Sequence, residues 1–481
     1  MNRKLKQILS VLLACQLFTI TAWAKPDWPS DTGIQAEAGI VMDVDSGAIL
    51  FGQNIHVPYP PASITKILTA LVVIENCQLD EMVEFTENAC YNVEADSGNK
   101  LGSSVGDILS VEDCLYGLLL VSSNQAANAL AEHTAGSISA FVDMMNQKLA
   151  ELGCTESHFD NPSGLNGDTQ YVSAHDMALI AQAAYQNEEL LTISSAVSHQ
   201  LAPTANYPGG LTITQEHRLL KPSDEFYYAS AKAGKTGYLL AAGNTLVTYA
   251  EEDGRKLVSV ILKGQPRQYF ADTTELLSFG FRSFQNLEIA GQETRYVTGD
   301  EVLETERGSF KASDLAVEPG RAITLPHGAV FSDADLSLDA LPASAPERAA
   351  ALMTYSYNDR VVGTAYLMVK DGVALPEAED NPAAPDQGAS PEASPSDPPQ
   401  ESPSPSGSHL SAAAILPAVA VFLFAAAAAA AAAWIVYSRK KEAEELARRR
   451  ERRRQRLQQA GEEEEFERML AQWKEKEKKR R

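Results

Sequence analysis

An uncharged stretch of 26 residues, 412–437, constrains this chain more than any other feature of its sequence. A helix needs about 20 apolar residues to span a bilayer. Trp434 and Tyr437 lie at the end of the stretch, where aromatic rings favour the membrane interface, and three basic residues, 439–441, follow directly. The sequence therefore predicts a transmembrane helix over 410–437, with the preceding chain outside the cell and the following tail in the cytoplasm.

The first 24 residues are typical of a secretory signal peptide. Basic residues at positions 3, 4 and 6 precede an apolar run, and Ala22-Trp23-Ala24 forms a small-residue cleavage site. Two alternatives remain open: a lipoprotein-like box ending at Cys15, and an uncleaved N-terminal anchor. All three interpretations predict export of the chain.

Composition divides the rest of the chain further. Residues 376–409 are rich in Pro, Ser, Asp and Glu without apolar periodicity, which predicts a disordered linker. The tail, 438–481, alternates basic and acidic blocks and is predicted to be a solvated, charged segment. Two folded domains are predicted before the linker, over 25–283 and 284–375.

Charge and cysteine spacing exclude several classes of protein. Removing the basic ends (+3 over 1–24 and +6 over 438–481) from the net charge of −24 leaves −33 on residues 25–437. Such an acidic body repels phosphate backbones, so no nucleic-acid partner is expected. The cysteines form no C-x-x-C pair and the eight histidines show no metal-binding spacing, so no metal or cofactor is predicted. The pairing of four cysteines stays open: Cys77, Cys90, Cys114 and Cys154.

Hydrophobic periodicity predicts an α/β (α+β) fold. A hairpin over 38–52 comes first, and a strand meander over 231–262 comes last. The segments between them are predicted to be helical: one after Pro61, then 111–121, 124–135, 138–152 and 173–186. Ser110-x-x-Asp113 and Ser173-x-x-Asp176 predict capping boxes at the starts of 111–121 and 173–186. Because strands stand at both ends of the region, we expect one antiparallel sheet beside a helical cluster. Residues 284–375 are predicted to form a small all-β domain, with strands over 322–325 and 361–369.

The motif S-x-x-K occurs three times, at Ser63, Ser97 and Ser438. Ser438 lies in the predicted tail, and Ser97 lies in a Gly/Asp-rich loop without a helix to hold its lysine. Ser63 begins an apolar helix, on which Lys66 lies one turn further along the same face. The positive end of that helix can also stabilise developing negative charge. Ser63 is therefore the predicted nucleophile.

Two further motifs accompany this serine and lysine. Lys235-Thr236-Gly237 ends a predicted strand, where glycine lets a ligand backbone come close. Ser122-Ser123-Asn124 falls in a break between two helices and supplies a hydroxyl and an amide. Each motif alone also fits a structural role. The three in this order, on these elements, favour a catalytic site.

With these motifs, residues 33–283 resemble the serine D-alanyl-D-alanine carboxypeptidases, the low-molecular-mass penicillin-binding proteins. The matching stretches are Pro61-Ala62-Ser63-Ile64-Thr65-Lys66, Ser122-Ser123-Asn124-Gln125-Ala126, His158-Phe159 through Gly164-Leu165, His175-Asp176-Met177-Ala178 and Lys235-Thr236-Gly237. Residues 284–375 are similar to the C-terminal β domain of that family. The resemblance implies a penicillin-binding fold that combines an antiparallel sheet with a helical cluster.

The resemblance also implies a mechanism. Ser63 would attack the carbonyl of the penultimate D-alanine of a peptidoglycan stem peptide, Lys66 would accept its proton, and Ser122 would relay a proton to the leaving amine. Lys66 must be neutral to accept this proton, and Lys235 is expected as the nearby cation that lowers its pKa. Substrate binding is implied for Asn124, Lys235, Thr236, Gly237 and Tyr238. The backbone N–H groups of Ser63 and Tyr238 would form the oxyanion hole. The family needs no metal or cofactor, and β-lactams should inhibit it by acylating the same serine.

Two alternatives stay open. A β-lactamase shares the three motifs, but no E-x-x-x-N segment between 124 and 235 supplies a deacylating base. A sensor of β-lactams or wall fragments could signal through the predicted membrane helix. The chain also departs from the family pattern at Ser123, where glycine is common, and at Tyr238, where polar residues are frequent. Both departures bear on specificity more than on chemistry.

Overall fold

The computed structural model of the chain describes residues 25–30, 32–93, 98–165, 167, 169–342 and 344–375. The predicted signal peptide, linker, transmembrane helix and charged tail lie outside these residues, and so does Ser97. Within the described part of the chain, no helix is long and apolar enough to cross a membrane.

The strands of the described residues are β1 (Ala38–Asp43), β2 (Ile49–Gln53), β3 (Met82–Glu84), β4 (Ile108–Ser110), β5 (Ser198–Leu201), β6 (Leu211–Thr214), β7 (Ala231–Leu239), β8 (Gly243–Glu252), β9 (Arg255–Gly264), β10 (Phe284–Glu288), β11 (Val302–Thr305), β12 (Gly308–Lys311), β13 (Leu315–Val317), β14 (Ala322–Pro326), β15 (Asp335–Asp339), β16 (Ala349–Tyr357) and β17 (Arg360–Val369). The α-helices are α1 (Lys66–Asn76), α2 (Glu87–Tyr91), α3 (Val111–Leu120), α4 (Asn124–Ala135), α5 (Ile138–Glu151), α6 (Ala174–Gln186), α7 (Glu188–Ser195) and α8 (Gln268–Ser283).

A five-stranded antiparallel sheet, in the order β2-β1-β9-β8-β7, forms the centre of the first region. The prediction that the two ends of this region share one sheet is confirmed, because β1 pairs with β9. Every residue of β1 is buried. Ile40 and Met42 pack into the helical cluster, whereas Val41 between them packs with α8 on the other face. The sheet is therefore covered on both sides.

The predicted helices of the middle segment are confirmed to within one or two residues. Ser110 and Ser173 are the N-caps of α3 and α6, and their hydroxyls accept hydrogen bonds from the backbone N–H groups of Asp113 and Asp176. Half of each predicted capping box is nevertheless absent from the described contacts. The two aspartate carboxylates instead bind residues that are distant in sequence, His199 and the segment 156–157 among them.

Helix α8 is absent from the sequence prediction, which placed only strands after residue 231. Its buried side chains include Phe270, Leu276 and Leu277, and these pack on the face of the sheet opposite the helical cluster. Gly280 allows a close approach, because a Cβ there would lie 2.7 Å from Cδ1 of Leu257 on β9. This helix explains why an antiparallel sheet has no solvated face here.

Beyond Ser283 the described residues form strands and 3-10 turns. Strand β10 pairs with β14, and a separate sheet has the order β13-β17-β16-β15. The predicted strands over 322–325 and 361–369 are confirmed as β14 and β17. The residues after Ser283 form a separate hydrophobic cluster, which includes Leu325, Tyr355 and Leu367. The division at 283/284 into two domains stays a prediction. Cys77, Cys90, Cys114 and Cys154 are free and buried.

Candidate active site

Ser63 lies in a 3-10 turn, Ala62–Thr65, immediately before α1. Pro61 precedes the turn, as predicted for a residue that suits the start of a helix. Ala62 adopts φ +53°, a left-handed conformation that costs free energy in a non-glycine residue. Lys66 is the first residue of α1, and its Nζ lies 3.2 Å from Oγ of Ser63. The S-x-x-K spacing therefore brings the amine to the hydroxyl.

The amine of Lys66 has two further partners. Its Nζ donates to Oδ1 of Asn124 at 2.8 Å and to the backbone oxygen of Ser163 at 2.6 Å. A neutral amine has two N–H donors and one lone pair. With both donors used by these acceptors, the lone pair is left to face the hydroxyl of Ser63. The geometry therefore suits an amine that accepts a proton from this serine.

Burial and positive neighbours both favour the neutral amine. The side chain of Lys66 is fully buried. Burial is the main cause that holds the pKa of Lys66 well below its usual value, and the positive charges of Lys235 and Lys100 lower it further. Glu216 opposes the shift. The sequence predicted Lys235 as such a neighbour, but not Lys100 or Glu216.

Strand β7, at the edge of the central sheet, lies directly against the turn that carries Ser63. A Cβ at Gly237 would lie 2.9 Å from the backbone nitrogen of Ser63. Thr245 on β8 also donates its hydroxyl to the carbonyl of Pro61 at 3.0 Å. Glycine at this position was predicted to let a ligand approach. In the structure it lets the nucleophile's own backbone approach the strand.

Three residues of β7 differ in their exposure to solvent: Lys235, Thr236 and Tyr238. Lys235 is buried, and its Nζ donates to the backbone oxygen of Thr236 at 2.8 Å. Burial lowers the pKa of Lys235 to about 8, and Lys100 contributes to this, while Glu216 opposes it. The Thr236 side chain is half-buried, and Tyr238 is exposed. This edge of β7 thus combines a buried cation with accessible side chains.

Ser122 and Asn124 lie at the junction of α3 and α4, as predicted. Ser122 adopts φ +62°, which marks a strained backbone at a position where the sequence expected a simple break. Ser123 caps α4 by accepting from the N–H of Ala126. Among the described contacts, the hydroxyl of Ser122 bonds to neither Ser63 nor Lys66. Asn124 accepts a hydrogen bond from Nζ of Lys66, and its predicted contact with substrate stays a prediction.

Sequence reasoning missed the backbone carbonyl of Ser163 as a ligand of Lys66. The side chain of Asn161 shapes this loop, because its Oδ1 accepts from the N–H groups of Ser163 and Gly164 at 3.2 and 2.8 Å. Gly164 has φ +80°, and a Cβ there would collide with the backbone of Ala62. The motif around residues 158–165 was visible in the sequence, but the role of a carbonyl was not.

An ion pair beside the two lysines was also missed. Nζ of Lys100 lies 2.5 Å from Oε1 of Glu216. Lys100 belongs to the second S-x-x-K motif, whose serine, Ser97, lies outside the described residues. Paired with a carboxylate, Lys100 acts here as a fixed cation. No spacing in the sequence connects residue 100 with residue 216.

A serine paired with a buried lysine at a helix start, an S-x-N junction and a K-T-G edge strand together define a serine hydrolase of the penicillin-binding type. The comparisons with known proteins agree. Residues 25–265 match the family model described as D-alanyl-D-alanine carboxypeptidase. The chain belongs to this D-alanyl-D-alanine carboxypeptidase family of serine hydrolases.

Individual relatives give the extent of the similarity. The chain is 36% identical over 265 residues to the D-alanyl-D-alanine carboxypeptidase DacB2 of Mycobacterium tuberculosis, covering 53% of this chain and 84% of that protein. It is 31% identical over 319 residues to DacC of Escherichia coli, covering 63% and 77%. The crystal structure of penicillin binding protein 5 from Haemophilus influenzae superposes with a TM-score of 0.57 at 25% identity, over 71% of this chain and 98% of that one.

Proposed function

We propose that this protein is a serine D-alanyl-D-alanine carboxypeptidase that removes the terminal D-alanine from peptidoglycan stem peptides. Family membership supports the reaction class. The observation that carries the mechanism is the set of three partners around Nζ of Lys66: Ser63, Asn124 and Ser163. With two acceptors filling its donors, a neutral Lys66 can only accept from Ser63.

Acylation follows from this arrangement. Oγ of Ser63 forms a bond to the carbonyl carbon of the penultimate D-alanine as its proton passes to Nζ of Lys66. The carbonyl oxygen becomes an oxyanion, which the backbone N–H groups of Ser63 and Tyr238 would bind. Removal of one such donor typically costs about 3–4 kcal/mol of transition-state stabilisation. The approach of β7 to the Ser63 turn supports this pairing of N–H groups.

The rest of the cycle uses the remaining motif residues. The cation of Lys235 and the hydroxyl of Thr236 would bind the terminal carboxylate, and Gly237 would keep the strand close. The C–N bond breaks as the leaving amine takes a proton, relayed by Ser122 from Lys66. Asn124 would orient the substrate amide besides holding Lys66. Water then attacks the acyl ester, its proton returns through Lys66, and Ser63 is regenerated.

A β-lactam would acylate Ser63 by the same path, but the acyl-enzyme it forms would last longer. Its ring opens when Ser63 attacks the lactam carbonyl, and the amine remains tethered to the acyl group, so it cannot diffuse away. We therefore expect stable penicillin adducts on Ser63. In this proposal β-lactams are inhibitors, and the substrate is the D-Ala-D-Ala end of the stem peptide.

For the location of the enzyme we propose a single-pass membrane protein with its catalytic domain, 25–283, outside the cell. The uncharged residues 412–437 and the basic residues after them support this topology. In this proposal the signal peptide is removed, the β domain at 284–375 and the linker at 376–409 separate the catalytic domain from the membrane segment along the sequence, and the tail is cytoplasmic. Protease added to intact cells should cut the linker and leave 438–481 protected. Digestion of the tail from outside would contradict the topology.

Turnover of a peptide ending in D-Ala-D-Ala tests the function. We expect stoichiometric release of D-alanine by the wild-type enzyme and none by Ser63→Ala. Labelled penicillin should attach to Ser63, and the matched variant Ser97→Ala should still be labelled. An acylated protein without peptide turnover would favour the sensor, and rapid hydrolysis of penicillin would favour a β-lactamase.

A further inference from the structure

Three side chains away from the catalytic motifs converge on one point of the surface. They are His56 after β2, Glu156 after α5 and His175 in the first turn of α6. One potential ligand atom from each lies within 4.8 Å of the other two. Nδ1 of His56 lies 3.0 Å from Oε2 of Glu156, and the two imidazole rings have their centroids 5.2 Å apart. The chain thus brings two imidazoles and a carboxylate together.

A buried carboxylate orients two of these three residues. Asp176 is 1% exposed, and its Oδ2 accepts from the backbone N–H of Glu156 at 2.7 Å and from the hydroxyl of Ser157 at 2.8 Å. Its Oδ1 faces Nδ1 of His175 at 3.4 Å. A histidine whose Nδ1–H points to a carboxylate presents the lone pair of Nε2 to a metal, which is the common arrangement behind metal-binding histidines.

The donor set and spacing suit zinc. Two histidines and one glutamate are a known zinc ligand set, with a fourth position for water. At metal–ligand distances of about 2.0–2.1 Å in a tetrahedron, ligand atoms stand about 3.3 Å apart. The His56–Glu156 distance already matches this, and the potential ligand atom of His175 lies within 4.8 Å of both partners, so a small side-chain adjustment completes the set. His56, Glu156 and His175 are also 61%, 31% and 28% exposed, so an ion can enter.

We propose that His56, Glu156 and His175 bind one zinc ion through their side chains, with water completing the coordination. Imidazole ligands favour zinc and other late first-row ions over magnesium and calcium. The histidine spacing along the sequence gave no sign of this, because the ligands come from three separate segments. Zinc binding at these residues requires no peptidase activity, so it can be tested independently of the proposed function.

The position of the site gives the ion a structural role. The backbone N–H of His175 donates to the carbonyl of Ile55 at 3.0 Å, and Tyr59 and Val172 exchange two backbone hydrogen bonds of 2.9 Å. These contacts join the segment leading to Ser63 with the segment that follows Ser163. A zinc ion on His56, Glu156 and His175 would cross-link the same two segments. We therefore expect it to stabilise the folded protein.

Zinc chloride titrated into the full chain, purified in detergent and stripped of metal by chelation, tests the proposal. Calorimetry should show one zinc ion bound with a micromolar dissociation constant, and the thermal unfolding midpoint should rise with zinc concentration. His56→Ala and His175→Ala should each weaken binding at least about 10–100-fold, since each removes a direct ligand. Glu156→Gln, which keeps size and shape, should weaken it about 10-fold.

A second cluster in the chain provides the matched control. Cys77, Glu81 and His133 also bring potential ligands within 4.8 Å, but the thiol of Cys77 contacts the hydroxyl of Thr134 at 3.3 Å and is buried. His133→Ala should leave zinc binding unchanged. Absence of binding to the wild type at micromolar zinc, unchanged binding in both His56→Ala and His175→Ala, or loss of binding in His133→Ala would each overturn the assignment. Should an alanine variant unfold, Glu156→Gln and His175→Gln answer the same question.

Discussion

Two lysines are buried beside each other in this protein, yet their surroundings differ. Lys66, at the start of α1, has three partners: the hydroxyl of Ser63, the amide oxygen of Asn124 and the carbonyl of Ser163. Lys235, on the edge strand β7, has one hydrogen-bond partner among the described residues, the carbonyl of Thr236. Burial lowers the pKa of both, well below the usual value for Lys66 and to about 8 for Lys235.

This difference shows how one environment can hold two amines in different charge states. Near pH 7 an amine with a pKa of about 8 is mostly protonated, so Lys235 remains a cation that suits a carboxylate. That charge disfavours a second one on Lys66. In the proposed mechanism the two lysines therefore have different roles: burial, together with the charge of Lys235, keeps Lys66 neutral as the base, while Lys235 stays charged.

The largest expected effect comes from Lys66→Ala. Loss of a general base typically costs about 10²–10⁴-fold in rate, and we expect the acylation rate with fluorescent penicillin to fall by at least this factor. Lys235→Arg should mainly weaken capture, because the charge remains while its geometry changes. Rapid-mixing measurements over a range of penicillin concentrations separate the two effects.

Lys232→Ala is the matched control for these two variants, since Lys232 is an exposed lysine of the same strand. It should acylate like the wild type. If Lys66→Ala acylates at nearly the normal rate while Lys235→Arg is inactive, the base has been misassigned. That role would then move to Lys235 acting through Ser122.

Asn124→Asp should have the next largest effect. The substitution places a carboxylate at the oxygen that lies 2.8 Å from Nζ of Lys66, which favours the protonated amine. Acylation needs the neutral amine, so we expect a fall of roughly 10–100-fold at pH 7 and partial recovery at higher pH. Asn124→Ala removes the acceptor without adding charge and should show no such recovery. An Asn124→Asp profile parallel to that of wild type would argue against a neutral Lys66.

A smaller effect is expected from Gly237→Ala, which tests the contact between β7 and the turn that carries Ser63. The new Cβ would collide with Oγ1 of Thr245 and lie 2.9 Å from the nitrogen of Ser63, so both the Thr245 side chain and the spacing between β7 and the turn must adjust. We expect acylation to slow by about 10-fold, as for a slightly misplaced oxyanion donor, with little change in the unfolding midpoint. Gly209→Ala, where a Cβ meets nothing within 4 Å, is the control. Normal acylation in Gly237→Ala would show that the close approach is unimportant.

Much of the fold of residues 25–283 could be predicted from the sequence, because local patterns of side chains determine its helices and strands. Apolar periodicity and N-cap serines located α3 to α6, and alternating strands with glycine turns located β7 to β9. Helix α8 was missed, because Phe, Tyr and Thr residues weaken its helical pattern.

The candidate site was less predictable than the fold. Its motif residues could be chosen by spacing, and the structure brings Ser63, Lys66 and Asn124 together. The carbonyl of Ser163 and the Lys100–Glu216 pair could not be found, because backbone groups carry no residue signature and long-range ion pairs have no spacing rule.

The proposal that Lys66 is the neutral base and Lys235 the cation is tested most directly by the pH dependence of penicillin acylation in the wild type and in Lys235→Arg. The second-order rate constant of the wild type should fall as pH rises through about 8, where Lys235 loses its proton. In Lys235→Arg this alkaline limb should disappear up to at least pH 9.5, because arginine keeps its charge. The acid limb, set by protonation of Lys66, should remain. An unchanged alkaline limb near pH 8 in Lys235→Arg would contradict the account.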